Sequence, residues 1–374
     1  MGATDELLRL PPYATASGEH RGLLMAAVRE ALEHHCAHCP AFDRWYRKQG
    51  ADPSAEIKDL ANLPFLPVSI FKRTTLESIG ESDIVRVLRS SATSSQTPSR
   101  VVLDRLTRDR QMRTLAVLLS ALMGPTRRPF IVLDAAAAQG ADLELSARVA
   151  GLRGYLMMAS EIHHVLETKA GQPELNVDQL KDLVGQFRKQ HTPVCLIGYT
   201  YMLYQYVVAP IARAGLRLEL PVGSMVLHFG GWKRLEQRAV DRARLNSEVA
   251  QVFGPAASCI RDVYGFTEQL GVIYPDDGRG VRLAPVYSDV IVRDPVTLEQ
   301  VADGMPGLLE FITPLPHSYP GIALLVDDMG RIVSRDQGDD GRYGTRFEVL
   351  GRARGAEIRG CGDTLPEQIY KVRA

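Results

Sequence analysis

The chain has 374 residues, and its 44 basic residues balance 44 acidic ones, which argues against a nucleic-acid-binding surface as its main business. Hydrophobic residues make up 45% and charged residues 24%, ordinary values for a chain that buries a large core. No apolar run approaches the roughly 18 residues needed for a bilayer span. The start, Met1 to Leu8, lacks a signal peptide's basic flank, and five scattered cysteines read as reduced thiols, so a cytoplasmic location is expected.

In chain order, Glu19 to Gly50 reads as helical, with Leu23, Leu24, Ala27, Val28, Ala31 and Leu32 at helical spacing. Pro64 and Pro67 mark an extended segment beyond it. Val85 to Arg89 is a short strand leading into a hydroxyl-rich run, Ser90 to Arg100. Asp109 to Leu122 follows as an amphipathic helix and Pro129 to Asp134 as a buried strand. The alternation continues with a helix around Val177 to Gln190, a strand from Pro193 to Gly198 and a helix from Tyr201 to Ala214. A strand from Ser224 to Phe229 and a helix from Arg234 to Val252 complete it, which predicts an α/β domain with a largely parallel sheet. From about Gly271 the texture changes to short strands with Gly, Pro and Asp turns, such as Ser288 to Arg293 and Gly307 to Ile312. That part reads as a smaller antiparallel or barrel-like lobe.

Several segments carry chemistry. Backbone amides and the hydroxyls of Ser90, Ser91, Thr93, Ser94, Ser95 and Thr97 suit the cradling of a triphosphate, and Arg100 adds positive charge. The glycines and the Gly-Lys-Ser/Thr ending of a Walker loop are absent, and a plain flexible Ser/Thr loop is the alternative. In Tyr264-Gly-Phe-Thr-Glu268, Gly265 permits a tight turn beside a flat ring, and Tyr264 offers an aromatic face to adenine. Glu268 is a hard oxygen ligand suited to Mg²⁺ on phosphates, against the alternative of a solvated surface glutamate. Gly230 and Gly231, straight after the strand ending at Phe229, let a backbone approach a purine closely. Asp328 either accepts ribose hydroxyls or belongs to an Asp-rich hairpin turn.

Near the end, Cys361 stands between Gly360 and Gly362 with Arg359 close by, a thiol that can move and whose thiolate a cation favours. His34-His-Cys-Ala-His-Cys39 holds a Cys-x-x-Cys pair within a helical pattern but lacks a second ligand pair, so it is not read as a zinc site. His163 and His164 read as a surface pair in a helix or loop. Cys195 and Cys259 read as core packing. Ile197, Leu203 and Val226 line either an acid pocket or the core.

The order of these signals resembles the adenylate-forming superfamily of acyl-CoA synthetases, peptide-synthetase adenylation domains and firefly luciferase. Within it the chain is most similar to the LuxE-type acyl-protein synthetases, with the phenylacetate–CoA ligases next. The matching residues are Leu66-Pro-Val-Ser-Ile-Phe-Lys72, Gly230-Gly-Trp-Lys233, Tyr264-Gly-Phe-Thr-Glu-Gln269, Val292-Arg-Asp-Pro295, Pro316-His-Ser-Tyr-Pro-Gly321, Gly351-Arg352 and Glu357-Ile-Arg-Gly-Cys361. They span most of the chain, from about residue 20 to 365.

The resemblance implies ATP-dependent, Mg²⁺-assisted conversion of a carboxylic acid, fatty or related, to acyl-AMP. Transfer to the enzyme's own cysteine as a thioester follows, for delivery to an acyl reductase, an acyltransferase or a carrier protein. Carried over by motif, Ser90 to Arg100 is the phosphate loop, Glu268 the Mg²⁺ ligand and Cys361 the acylated thiol. Gly230, Gly231 and Tyr264 form the adenine wall, Asp328 and Arg352 are the ribose contacts, and Gly265 and Thr267 belong to the same adenine/ribose site. Two departures stand out: Ala92 replaces a usual glycine, and the chain ends at Ala374 without the family's C-terminal lid domain and its lysine. Either Lys72, Lys233 or Arg100 then supplies that charge, or the reaction runs with less electrostatic help.

The expected fold is α/β: an adenylate-forming N-terminal domain of mostly parallel sheets with helices, plus a small β-rich lobe. Its divisions are an adenylating core over 1–270, a β-rich subdomain over 271–350 and a C-terminal segment, 351–374, with the acceptor cysteine. Two other functions compete: an adenylating ligase that passes the acyl group to coenzyme A, an amine or a carrier protein, and a non-catalytic nucleotide-binding subunit.

Overall fold

Pro40 splits the N-terminal helical pattern in two. Proline has no N–H to donate and is accommodated in a helix's first turn. The chain therefore closes one helix, passes Cys39 in an extended conformation, and opens another at Pro40. After a short α1 (Ala3–Leu7), these are α2 (Arg21–His38) and α3 (Pro40–Lys48). The computed structural model describes residues 2–16, 18, 20–89, 99–134, 144–169, 172–232, 239–335 and 338–353. Ser90, Ser91, Thr93, Ser94, Ser95, Thr97, Lys233 and Cys361 lie outside the described residues.

The strands run β1 (Leu66–Pro67), β2 (Arg86–Arg89), β3 (Arg100–Leu103), β4 (Arg128–Leu133), β5 (Glu144–Ser146), β6 (Ala159–His164), β7 (Leu166–Lys169) and β8 (Gln172–Leu175). Then come β9 (Cys195–Tyr199), β10 (Met225–Phe229), β11 (Ile260–Tyr264), β12 (Tyr274–Pro275), β13 (Val281–Leu283), β14 (Asp289–Arg293), β15 (Gly307–Ile312), β16 (Ala323–Ser334) and β17 (Arg346–Arg352). The further helices are α4 (Ile70–Arg73), α5 (Arg105–Met123), α6 (Ala147–Tyr155) and α7 (Val177–Lys189). Next, α8 (Thr200–Met202) runs through a π-helical stretch, Leu203–Val208, into α9 (Ala209–Arg213), and α10 (Arg242–Phe253) follows.

One sheet has the order β12-β11-β10-β9-β4-β6, parallel except at β11–β12. Its central strands are apolar on both faces because helices cover both sides, and Phe130, Ile131, Cys195, Leu196, Val226 and Leu227 have no exposed surface. Gly198 in β9 is required by crowding, since a Cβ there would lie 2.6 Å from that of Leu133. Ile197, Leu203 and Val226 are wholly buried, which places them in the core rather than along a pocket.

The second sheet, β13-β17-β16-β15-β14, is antiparallel, as the change in texture predicts. It also takes in β1, which pairs parallel with β16, Leu66 opposite Leu324. Its core accordingly mixes Leu24, Trp45, Ile70 and Phe71 from the first part of the chain with Phe311, Leu324 and Phe347 from the last.

Three local readings need correction. The helix expected from Arg234 begins at Arg242, because the Asp241 side chain accepts the Arg244 N–H at 2.8 Å and caps the helix there. His163 and His164 close the strand β6, whose mostly polar, partly exposed residues hide its period. Cys259 is half-buried in a short 3₁₀ turn rather than in the core, whereas Cys195 is buried as expected.

Candidate active site

The carboxyl ends of β10 and β11 are the place where open α/β sheets bind ligands, and the end of β11 meets β15 and β16 of the antiparallel sheet. After β10, Gly230 and Gly231 adopt φ of 79° and 60°, a left-handed conformation that glycine enters without strain. Both are exposed, and a Cβ on Gly231 would meet nothing within 4 Å, so the backbone is open to an approaching ring.

After β11, the chain makes a 3₁₀ turn, Thr267–Gln269, that buries Glu268 to 6% exposure. The Ser99 hydroxyl donates to Glu268 Oε1 at 2.5 Å. Ser99 is the last residue before β3, so the end of the hydroxyl-rich run lies against the glutamate, 169 positions away in sequence. Burial pushes the Glu268 carboxyl up; the Ser99 bond and the charge of Lys72, on α4, pull it down, and Asp327 pushes it up. Lys72 and Glu268 thus share one electrostatic environment, whereas Arg100 pairs with Glu77.

Tyr264, closing β11, donates its phenol to Asp328 Oδ2 at 2.7 Å and lies face to face with Phe311 at 5.3 Å. One face of the ring is therefore covered by Phe311. Asp328 stands within β16, not in a hairpin turn, and is paired across the ladder with Arg352, whose Nε is 3.9 Å from Oδ1. Burial raises the Asp328 carboxyl, opposed by the Tyr264 phenol and by Arg352. Directly after Arg352, the Ala353 N–H donates to the Asp327 carbonyl at 3.0 Å. Thr267 opens the turn half-buried. Gly265 departs from expectation: its φ is not left-handed, and a Cβ would meet only Val272 O at 3.6 Å and Ile273 Cγ2 at 3.9 Å. The turn itself therefore does not demand glycine there.

The sequence reading missed a buried layer beneath these residues. His228 donates from Nδ1 to Thr200 Oγ1 at 3.0 Å, since that hydroxyl in turn donates to the Phe229 carbonyl. Burial lowers the His228 pKa, opposed by Asp262 at 3.8 Å, and Asp262 accepts from the buried Arg282 at 2.6 Å. This network braces the ends of β9, β10 and β11. On the other side, His317 Nδ1 meets Asp104 Oδ2 at 2.7 Å, and Tyr319 and Gln269 bond to the backbone around Glu268. Their positions inside Pro316-His-Ser-Tyr-Pro-Gly321 and directly after Glu268 were the available signal.

His34, half-buried, bonds to His317 O, and the buried His35 bonds to Ser78 and Pro316 O. Among the described residues no group of three or more His, Cys, Asp or Glu side chains is arranged to hold a metal ion. A single carboxylate fits Mg²⁺, which keeps several waters and binds largely through substrate phosphates. No helix among the described residues is long and apolar enough to cross a membrane.

The fold is that of the adenylate-forming ligases. It matches the open conformation of 2-hydroxyisobutyryl-CoA ligase in complex with 2-HIB-AMP and CoA with a TM-score of 0.65, over 93% of this chain and 79% of that one, at 16% identity. The family model of the LuxE acyl-protein synthetases matches residues 2–370, and the chain belongs to that family. It is an enzyme, a ligase. Its relatives include the long-chain-fatty-acid–luciferin-component ligase of Vibrio harveyi, 24% identical over 365 residues, covering 97% of this chain and 93% of the relative. The enzyme of the same name from Aliivibrio fischeri is 23% identical over 374 residues, with 98% and 94% covered.

Proposed function

We propose that this enzyme converts a carboxylic acid and ATP to acyl-AMP and pyrophosphate, then passes the acyl group to Cys361. The observation that carries this reading is the convergence of separate parts of the chain around the end of β11. Ser99, Glu268 and Lys72 form one cluster, Tyr264, Asp328 and Arg352 another, and the chain toward Cys361 departs from Ala353, bonded to Asp327.

In this reading the acid's carboxylate attacks the α-phosphorus of ATP and pyrophosphate leaves. Glu268 holds Mg²⁺, which supplies charge neutralisation on the phosphates. Ser90, Ser91, Thr93, Ser94, Ser95 and Thr97 receive the phosphates, and Lys72 and Lys233 supply cationic charge. Tyr264 receives adenine beside Gly230 and Gly231, and Asp328 and Arg352 take the ribose. Arg100 acts at most indirectly, because Glu77 already neutralises it. The Cys361 thiolate then attacks the acyl carbon, AMP leaves, and a thioester remains.

Seven residues lie between Ala353 and Cys361, so eight Cα–Cα steps give a covalent reach of at most about 29 Å. That tether is rooted at the nucleotide site, so transfer needs no separate carrier. The names of the Vibrio and Aliivibrio relatives favour a long-chain fatty acid as substrate and a luciferin component as recipient.

The decisive experiment is incubation with ATP, Mg²⁺ and radiolabelled fatty acid. The protein should become covalently labelled, and neutral hydroxylamine should release the label. Turnover with coenzyme A and no labelling of the protein would overturn the reading.

A further inference from the structure

A turn of three residues cannot hold its own place when a metal pulls on it, because short 3₁₀ segments have poor hydrogen bonds. The Glu268 turn is held from beneath. Tyr319, with no exposed surface, donates its phenol to the Glu268 carbonyl at 2.8 Å. Gln269, 2% exposed, donates its side-chain amide to the carbonyls of Gly321 at 2.9 Å and Phe311 at 3.1 Å, with a longer contact to Ile322 at 3.4 Å. The Gln269 carbonyl oxygen is buried without a hydrogen-bond partner. An unpaired buried acceptor costs stability, so what this amide contributes lies in the bonds its N–H groups make.

The segment that supplies these contacts is itself fastened to the strand following the hydroxyl-rich run. Ser318 Oγ donates to the Val102 carbonyl at 2.8 Å, and the Ser318 N–H donates to Thr107 Oγ1 at 3.0 Å. The backbone passes close beneath the glutamate: a Cβ on Gly321 would lie 2.6 Å from the Tyr319 ring and 3.2 Å from the Glu268 carbonyl oxygen. Tyr319 also meets Phe71, the neighbour of Lys72, edge to face at 5.7 Å.

We propose that Tyr319 and Gln269 are positioning residues for metal-dependent adenylation: they hold the Glu268 backbone against β15 and the Ser318–Ile322 segment, so that its carboxylate can exchange Ser99 for the cation without the turn moving. This rests on the reading of Glu268 as the Mg²⁺ ligand.

The test measures acid-dependent exchange of pyrophosphate into ATP against Mg²⁺ concentration in the full chain. Tyr319→Phe keeps the ring and loses one hydrogen bond, and it should raise the half-saturating Mg²⁺ about three- to tenfold. Its KM for the acid should be unchanged, and its rate at saturating Mg²⁺ should approach that of the wild type. Gln269→Met, which loses at least two bonds, should shift the Mg²⁺ curve further. Melting temperatures measured alongside separate this from loss of folded protein. In a Glu268→Gln background, Tyr319→Phe should leave the residual metal dependence where it was.

Wild-type Mg²⁺ curves in both single variants, or losses that merely track the folded fraction, overturn the positioning role while leaving Glu268 as the metal ligand. A wild-type Mg²⁺ curve in Glu268→Gln alone overturns the ligand assignment and, with it, the proposal.

Discussion

The phenol of Tyr264 donates to the carboxylate of Asp328 at 2.7 Å, joining the end of β11 to the middle of β16 across 64 positions of sequence. The bond holds these two residues in one fixed relation, with Phe311 behind the ring.

Tyr264→Phe removes the O–H while keeping the ring. Burial already pushes the Asp328 carboxyl up, and the phenol pulls it down. In the variant the carboxyl rises further, so its ionised form is lost at a higher pH as pH falls. AMP affinity should drop about tenfold at pH 8, and by a larger factor near pH 6. Calorimetric titration at both pH values checks this, and equal affinities would remove Asp328 from the ribose site.

Glu268→Gln should retain the fold, since the amide oxygen still accepts from Ser99, and should lose most Mg²⁺-dependent pyrophosphate exchange. In the wild type, burial raises the Glu268 carboxyl above its ordinary value. Because metal and proton compete for the ionised form, exchange should fall as pH drops through that raised value. Saturating Mg²⁺ should move the fall to lower pH. An acid limb indifferent to Mg²⁺ would count against the assignment.

Replacing Thr93 and Ser94 together by alanine should weaken ATP binding and leave AMP binding nearly intact, because AMP lacks the β- and γ-phosphates. Parallel titrations of the two nucleotides decide it. Unchanged ATP affinity would return the run to a plain connecting loop.

Cys361→Ala should form and hold acyl-adenylate at the wild-type rate yet take up no covalent label, since transfer needs the thiolate. Mass spectrometry of the intact protein after incubation with ATP and a panel of acids reads both halves of the expectation. An acyl adduct surviving in the variant would place the acceptor elsewhere.

Arg293 is buried, pairs with the buried Glu310, and donates to the carbonyls of Leu298 at 3.1 Å and Ala61 at 2.8 Å. Burial pushes the Glu310 carboxyl up to about 7, with Arg293 opposing. A carboxyl raised in the fold binds its proton more readily there than in the unfolded chain, so its contribution is favourable at low pH and lost as pH rises through about 7. Arg293→Met removes the opposing cation. The cost should be about 3–5 kcal/mol at pH 8, where an unpaired carboxylate is left buried, and smaller at pH 5, where Glu310 is neutral. Urea unfolding at the two pH values measures it, and an equal cost at both would refute the electrostatic account.

Much of this was legible in the linear chain. Period and turn chemistry are local, so the alternation of Val177–Lys189, Cys195–Tyr199 and Met225–Phe229 and the antiparallel texture after Gly271 could be read residue by residue. The ordered motifs were enough to point to the family, because each is a short run whose chemistry lies in neighbouring residues. The β6–β8 stretch escaped notice, since its exposed polar side chains carry no apolar period.

Tertiary structure alone decided the rest. It placed β1 on β16, drew Arg100 to Glu77, set Ser99 against Glu268, and put Tyr319 under the Glu268 turn. The Ser99, Tyr319 and β1 contacts join segments that are 169, 51 and more than 250 residues apart. Such pairings depend on sheet register and on which faces are buried together, and neither is encoded within any local window.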